Sequence, residues 1–292
     1  MSKTNPYRLS GNLFAREEGI VSACQLFFLS CEGAKSEPSY FKNLNRHLRD
    51  ISGGGAFVHV LKHPNDGLSS VDAVYELLEE CRAIREEEKL IPDSVYQEIE
   101  KSFSKAEITQ IIRDDGFVDG GRKKQFLDAL LSLGINLDYR QYLKTLSSES
   151  EDRFVVVLDR DADSHTVESL NRICQKCRER NYICCLTNPC FEFWLLLHLV
   201  DVQTLSAPEE RVRLLSNKKV SKKHTYASKW VSDLAGHGKR ISERVFDVYY
   251  WQAREKALRA AEAFARQNED ILNQLGTSLP DLMDAISESL RK

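Results

Sequence analysis

Four short runs of mainly hydrophobic residues recur along the first two thirds of the chain. They lie at residues 21–30, 56–62, 154–158 and 181–186. The Val-rich run at 154–158 contains no polar residue, which is typical of a strand buried on both faces of a parallel sheet. Between the runs, hydrophobic residues recur at a helical spacing over residues 69–84 and 167–180, which predicts amphipathic helices.

This alternation of strands and helices predicts an α/β fold, with a mainly parallel, Rossmann-like sheet flanked by helices. Residues 90–150 break the pattern because several segments look helical and glycines separate them. We interpret this block as a mostly helical insertion in a core that spans residues 21–200. Residues 1–20 are polar and are interpreted as an N-terminal arm.

Residues 201–292 form a predicted C-terminal region that is mostly helical. Hydrophobic residues at helical spacing predict a helix at 206–215 and a long helix at 244–268. A last amphipathic helix is predicted at 279–290. The region therefore adds helices to the α/β core rather than strands to its sheet.

Acidic residues follow the ends of three predicted strands. Glu32 follows the first run, and Glu192 lies at the start of a hydrophobic helix after the last one. Asp159, Asp161 and Asp163 occupy alternate positions directly after the run at 154–158. Chemistry in parallel sheets sits at the carboxyl ends of the strands, so we expect these acids to lie together. Carboxylate oxygens suit Mg²⁺ or Mn²⁺. The alternatives are a solvated acidic turn and, for Glu192, a charge favoured by the helix dipole.

The cysteines and His198 offer weaker candidate sites. Cys174 and Cys177 form a C-x-x-C pair, and Cys184 and Cys185 follow. Zinc would require pairs carried by loops, whereas these pairs fall in a helical pattern and a strand pattern, so buried thiols are favoured. His198 lies about 240° around the helix from Glu192. We therefore interpret it as a structural, hydrogen-bonded histidine.

One dense basic segment lies in the C-terminal region. Its lysines are Lys218, Lys219, Lys222, Lys223 and, further on, Lys229. Tyr226 is interleaved with them, and Lys239 and Arg240 extend the basic character. Such a pattern suits a phosphate backbone, although a run of charges is also common on a solvated surface.

Composition limits the class of protein. The 292 residues carry a net charge of −3, with 42% hydrophobic and 29% charged residues, as in an ordinary globular protein. No hydrophobic run approaches the roughly 20 residues of a membrane helix, and the first residues lack a signal-peptide core. We therefore expect a cytoplasmic protein without a membrane partner. The sequence contains no P-loop motif, so ATP hydrolysis would require a partner.

Three blocks of the sequence resemble one family, the RloB-like proteins. The first block runs from Cys31 to Phe41 (CEGAKSEPSYF), the second is Asp159-Arg160-Asp161, and the third runs from Asn188 to His198 (NPCFEFWLLLH). Their order and spacing fit, and together they span most of residues 26–198. The chain departs at Ala34, where the family often carries a charged residue, and its central insertion is longer than usual.

The resemblance implies a Toprim-type domain. That pattern places a Glu after the first strand and D-x-D after a later one, which assigns Glu32, Asp159 and Asp161 to a site for divalent metal. Asp163 occupies the next alternate position. Lys35 is the candidate for neutralising a transition-state phosphate, and Glu37 is a reserve carboxylate.

The resemblance also implies a function and a partner. RloB-like proteins are encoded beside AAA-type ATPases of the RloA or OLD-like kind, in loci associated with phage defence. The expected activity is therefore a metal-dependent nuclease that cuts DNA or RNA, including tRNA, as the effector of that system. The alternatives are a catalytically silent regulatory or adaptor subunit and, less favoured, a primase- or topoisomerase-like enzyme. A homo-oligomer is left open.

Overall fold

The computed structural model describes residues 22–23, 25–52, 55–62, 70–87, 89–113, 119–148, 150–162 and 164–291. The predicted arm at residues 1–20 and Asp163 lie outside the described residues. The chain divides into two compact units. The α/β unit contains Ser22–Cys81 and Ser148–Lys292, and the helical unit contains Arg82–Ser147.

The α/β unit contains a five-stranded sheet. The first elements in chain order are β1 (Ser22–Ala23), β2 (Gln25–Cys31), α1 (Ser36–Ser52), β3 (Ala56–Val60) and α2 (Val71–Glu86), of which β2 and β3 belong to this sheet. The next elements are β4 (Ser147–Ser148), β5 (Arg153–Asp159), α7 (Val167–Glu179), β6 (Ile183–Asn188) and α8 (Phe191–Leu199). The strand order is β3-β2-β5-β6-β7. In this order the strands β3, β2, β5 and β6 are parallel to one another. The prediction of a mainly parallel α/β sheet is confirmed.

Hydrophobic residues explain why β2 and β5 lie at the centre of this sheet. Every residue of β2 is buried, and so are the five residues that precede Asp159 in β5. On one face, Phe27 and Val155 pack with α1 and α8 in the main core. On the other face, the Ser30 hydroxyl donates to the Val74 carbonyl of α2 over 2.6 Å. Helices therefore cover both faces, as the uninterrupted hydrophobic run predicts.

The helical unit forms its own core. Its helices are α3 (Asp93–Ile99), α4 (Lys105–Arg113), α5 (Gly120–Ser132) and α6 (Leu137–Thr145). Buried side chains that include Ile99, Phe103 and Phe126 pack together between them. Arg85 donates to the Leu146 carbonyl over 2.8 Å, so a cation satisfies a carbonyl where α6 ends.

The C-terminal region is helical, as predicted, but it also supplies one strand. Its elements are α9 (Val202–Ser206), α10 (Pro208–Ser216), α11 (Tyr226–Ala235), α12 (Glu243–Val245), a π-helix (Phe246–Trp251), α13 (Arg254–Ala261), α14 (Asn268–Ile271), β7 (Gly276–Thr277) and α15 (Leu279–Ser289). The sequence did not predict β7, a two-residue strand that pairs antiparallel with β6.

Two helices predicted in this region have different outcomes. The helix expected at 206–215 is present as α10 (Pro208–Ser216), and Pro208 separates it from α9, which ends at Ser206. The prediction of one long helix at 244–268 is wrong. A π-helix occupies its first part, and α13 ends at Ala261 because Ala265 bonds to the chain beside β7, through its N–H to the Leu275 carbonyl. In the described part of the chain, no helix is long and apolar enough to cross a membrane.

Candidate functional site

Neighbouring strand ends bring the predicted acids together. β2 and β5 pair with Cys31 opposite Val157, so Glu32 and Asp159 emerge at the same edge. The Glu32 Oε2 atom accepts the Asp159 N–H over 3.2 Å. The Asp159 Oδ1 atom accepts the N–H of Phe191 over 2.8 Å, at the start of α8 and next to Glu192. Asp159 thereby satisfies one of the unpaired N–H groups at that helix start.

Glu37 is a fourth member of this group, although the sequence made it only a reserve candidate. It lies in the first turn of α1 and is 4% exposed. Its Oε1 atom accepts the Gly33 N–H over 3.1 Å. Burial raises the pKa of Glu37 to about 7, with further contributions from the charges of Glu192 and Glu32. Glu32, Glu37, Asp159 and Glu192 are called the carboxylate cluster below.

The carboxylate cluster has an excess of negative charge. The pKa of Asp159 is raised well above its ordinary value by burial first, and then by the charges of Glu37, Glu32 and Glu192. Four carboxyl groups that repel each other at low exposure favour either a proton or a cation among them. The electrostatics of the cluster therefore favour positive charge at the strand ends.

The Glu37 carboxylate occupies the space next to Gly33 where a side chain would begin. A Cβ atom on Gly33 would overlap the Glu37 carboxylate. A side chain at position 33 would therefore force the Glu37 carboxylate to move from its hydrogen bond with the Gly33 N–H. In the C-E-G motif, Glu32 is therefore one acid of the carboxylate cluster, and Gly33 leaves space for the carboxylate of a second acid, Glu37.

His165 belongs to the site, and the sequence analysis missed it. Its Nε2 atom lies 2.9 Å from Glu32 Oε1, and its side chain is buried. The hydrogen bond with Glu32 raises the pKa of His165, and the charges of Glu32 and Asp161 act in the same direction. The Arg160 guanidinium donates a hydrogen bond to the His165 carbonyl over 3.1 Å. The one signal in the sequence was the position of His165 four residues beyond the D-x-D acid Asp161.

The remaining predicted residues lie around the cluster in different ways. The Asp161 carboxylate accepts the Ser164 hydroxyl over 2.9 Å and faces the turn that carries His165. Lys35 is exposed between Glu32 and Glu37 in the chain, and it forms no ion pair within the described ranges. The Ser36 hydroxyl donates to Glu192 Oε1 over 3.2 Å, which connects the start of α1 to the start of α8.

The hydrogen bonds decide how far the site fits a metal ion. Within the described residues, no three His, Cys, Asp or Glu side chains are arranged to hold one. Each acid is instead turned toward a donor: Glu32 to His165, Asp159 to a helix N–H, Glu37 to Gly33 and Glu192 to Ser36. The donor set itself fits a hard divalent cation, since it offers several carboxylates that lack compensating charge. Binding would require carboxylates to turn from these donors to the ion.

His198 is structural, in agreement with the interpretation from the sequence. Its Nδ1 atom lies 2.9 Å from the Trp194 carbonyl, and its Nε2 atom lies 3.4 Å from the Tyr40 hydroxyl. Burial lowers the pKa of His198 to about 4, so the ring is neutral near pH 7. It packs inside the core and does not approach the cluster as a ligand.

The basic segment begins beside the carboxylate cluster. Asn217 donates to Cys190, the residue before α8, over 3.4 Å. The exposed lysines of the segment follow; within the described residues they form no ion pair, and they are Lys218, Lys219, Lys222 and Lys223. Lys229 differs from them because it pairs with Asp233 on the same helix. Four of the five predicted lysines are therefore available to a ligand.

A second basic stretch is fixed at both of its ends. His237 hydrogen-bonds the Tyr250 hydroxyl of the π-helix. Ile241 donates its N–H to Ser39 of α1 over 3.0 Å, one turn beyond Ser36. Lys239 and Arg240 lie between these two anchors, exposed and without an ion pair in the described chain. We call residues 237–241 the anchored loop; it holds two cations near the helix start that carries Glu37.

The fold and the site together define an α/β protein with a carboxylate cluster at the ends of its parallel strands and unpaired cations beside it. A family model described as RloB-like protein matches residues 27–286. The chain therefore belongs to the RloB-like protein family. Comparisons with curated proteins and with solved structures gave no match.

Proposed function

We propose that this protein is a divalent-metal-dependent nuclease with a Toprim-like site. The observation that carries the proposal is the carboxylate cluster, which combines Glu32 and Asp159 from neighbouring strand ends with Glu37 and Glu192 from the first turns of α1 and α8. Phosphodiester hydrolysis needs negative ligands for a cation and positive groups for the substrate backbone. The cluster offers the negative ligands, and the basic segment that begins at Asn217, in contact with Cys190, offers the positive groups.

Each acid has a proposed role. Glu32, Asp159 and Glu192 would hold Mg²⁺ or Mn²⁺, with Asp161 and Asp163, the next alternate positions in the sequence, as further ligands. The bound ion would activate water and stabilise the leaving oxygen. Glu37 remains a reserve ligand. His165 orients Glu32 through its hydrogen bond, and Lys35 would stabilise charge on the phosphate.

The unpaired cations are the proposed binding surface for nucleic acid. The basic segment starts next to Cys190, and the anchored loop is tied to α1 near Ser36, so both lie close to elements that carry the carboxylate cluster. Contacts of this kind bind the phosphate backbone without reading its sequence. The proposal therefore covers DNA and RNA, including tRNA.

The cellular role is proposed from the family. In this account the protein is a cytoplasmic effector in an antiphage defence system and works with an AAA-type ATPase encoded nearby. The chain has no P-loop, so hydrolysis of ATP would occur on that partner. The partner would release or direct cleavage by this chain.

A cleavage assay tests the proposal. Purified protein is incubated with plasmid DNA, single-stranded DNA or total tRNA, in Mg²⁺, Mn²⁺ or EDTA, with and without the ATPase. We expect cutting that requires metal and that is lost in Asp159→Ala, while the circular dichroism spectrum stays unchanged. Equal cutting by wild type and Asp159→Ala would contradict the assignment of the site.

The alternative is a regulatory or adaptor subunit, and one observation favours it. Every acid of the carboxylate cluster already accepts a hydrogen bond from the protein, so the cluster is satisfied without a ligand. Such a subunit would bind nucleic acid, a nucleotide or the ATPase but would not hydrolyse phosphodiesters. Tight binding of nucleic acid with no cutting under any of these conditions would select this alternative.

A further inference from the structure

A second group of reactive side chains lies between α7 and β6. Cys174 and Cys177 are three residues apart on α7, so they share one face of the helix. Cys184 is the second residue of β6, and its sulfur lies 3.2 Å from that of Cys174. The proposed nuclease chemistry uses none of these thiols.

Successive side chains of β6 point to opposite faces of the sheet, so Cys184 and Cys185 lie on different sides. Cys184 faces α7 and is partly exposed. Cys185 is fully buried and packs in the main core with Cys190 and Phe191, on the opposite face of the sheet. Cys184 is half-buried and Cys174 is 4% exposed, whereas Cys185 is fully buried on the other face of the strand.

We propose that Cys174 and Cys184 form an oxidation site that closes to a disulfide in the presence of a hydroperoxide. The Cys174 thiolate attacks one peroxide oxygen, the O–O bond breaks, and Cys174 becomes a sulfenic acid as one water leaves. Cys184 then attacks the sulfenic sulfur, the S–S bond forms and a second water leaves. Two thiols and one H₂O₂ thus give one disulfide and two waters.

The geometry and charges of the pair support this order of events. A disulfide has an S–S distance of about 2 Å, so the two sulfurs need to approach by only about 1 Å. The hydrogen bond from Cys184 lowers the pKa of Cys174, and the charge of Arg178 acts in the same direction. The hydrogen bond with Cys174 raises the pKa of Cys184, and burial acts in the same direction. Cys174 is thus the first nucleophile, and Cys184 resolves the intermediate.

The disulfide would join two elements that lead to the carboxylate cluster. α7 begins two residues after His165, which pairs with Glu32. β6 ends at Asn188, shortly before Glu192. Oxidation would therefore fix α7 against β6 and raise the temperature of unfolding, and dithiothreitol would reverse both effects. The site does not depend on whether the protein cleaves nucleic acid.

The test is thiol mapping by mass spectrometry on the full chain. Reduced protein is treated with H₂O₂, free thiols are alkylated with N-ethylmaleimide, and the chain is digested with trypsin. Lys176, Arg178 and Arg180 place Cys174, Cys177 and Cys184 in separate peptides. We expect the loss of two alkylatable thiols and a peptide that links Cys174 to the fragment containing Cys184.

Two variants test which cysteine of β6 forms the disulfide with Cys174. Cys184→Ser should abolish the linked peptide, and Cys185→Ala should retain it, because that side chain lies on the other face of the strand. A linked peptide that persists in Cys184→Ser would overturn the proposal. So would wild-type protein in which peroxide leaves both thiols free, or oxidises them to sulfinic acid without a link.

Discussion

At the scale of single residues, the site depends on the close packing of the acids in the carboxylate cluster. The Glu37 carboxylate occupies the space that a side chain at Gly33 would need, and Glu32 is held by His165 on one side and by the Asp159 N–H on the other. Burial and mutual repulsion keep the pKa values of Glu37 and Asp159 high. The hydrogen bonds position the acids, and the repulsion between them favours a positive ligand.

The contact between Gly33 and Glu37 can be tested with a double-mutant cycle. Gly33→Ala should lower the free energy of unfolding by about 1–3 kcal/mol, because the new Cβ displaces a buried carboxylate. In the Glu37→Ala background the same substitution should have a clearly smaller effect, since the overlapping group is gone. The measurement is urea unfolding of the four proteins. Effects of Gly33→Ala that are equal in both backgrounds would exclude the overlap.

The raised pKa of Glu37 predicts a dependence of stability on pH. Between pH 4.5 and about 7 the folded state keeps the Glu37 proton while the unfolded chain loses it, so stability falls as pH rises through this window. The free energy of unfolding should fall by about 3 kcal/mol across this window in metal-free protein. Glu37→Gln should remove it, as measured by urea unfolding across the pH range.

The comparison of wild type with Glu37→Gln removes the effect of the histidines, and the difference contains the Glu37 proton together with the linked change at Asp159, whose pKa the Glu37 charge raises. Burial lowers the pKa of His59 to about 3 and that of His198 to about 4, so both histidines destabilise the fold as pH falls and act against Glu37. Both proteins contain these histidines, so their effect cancels in the difference. Stability curves that run parallel from pH 4.5 to 7 would show that Glu37 titrates normally.

At the scale of elements, α11 lies between two groups of cations. The basic segment precedes it, and the anchored loop follows Gly236, which ends the helix at a φ of 66°. Helix α11 packs against α8, so the element that presents these cations is also attached to the helix that carries Glu192. The arrangement places a surface for a phosphate backbone on the same framework as the carboxylate cluster.

The lysines of this surface should differ in their contribution to binding. Lys222→Ala with Lys223→Ala should weaken the binding of single-stranded nucleic acid and reduce the slope of log K against log salt by about 1.4. Lys229→Ala is the matched control, because Lys229 already pairs with Asp233 and should change the slope less. Fluorescence anisotropy in EDTA measures this without cleavage. An unchanged slope in the double variant would remove the basic segment from the binding surface.

At the scale of the whole molecule, the sequence predicted the parallel sheet well. Its hydrophobic runs are long enough to mark the strands, and parallel strands place Glu32 and Asp159 at one edge whatever the details of the loops. Contacts between distant residues were not predictable in the same way. The bond between His165 and Glu32 depends on a turn, and the pairing of Ala265 beside β7 ended a helix whose local pattern continued.

The binding of Mn²⁺ at pH 8, measured by isothermal titration calorimetry, tests whether the carboxylate cluster is a metal site. We expect wild-type protein to bind Mn²⁺ and Asp159→Asn to weaken this binding by about tenfold or more. Asp233→Asn, an acid on α11 away from the carboxylate cluster, should bind Mn²⁺ as wild type does. Wild-type protein that binds no Mn²⁺, or Asp159→Asn that binds it equally well, would contradict the account.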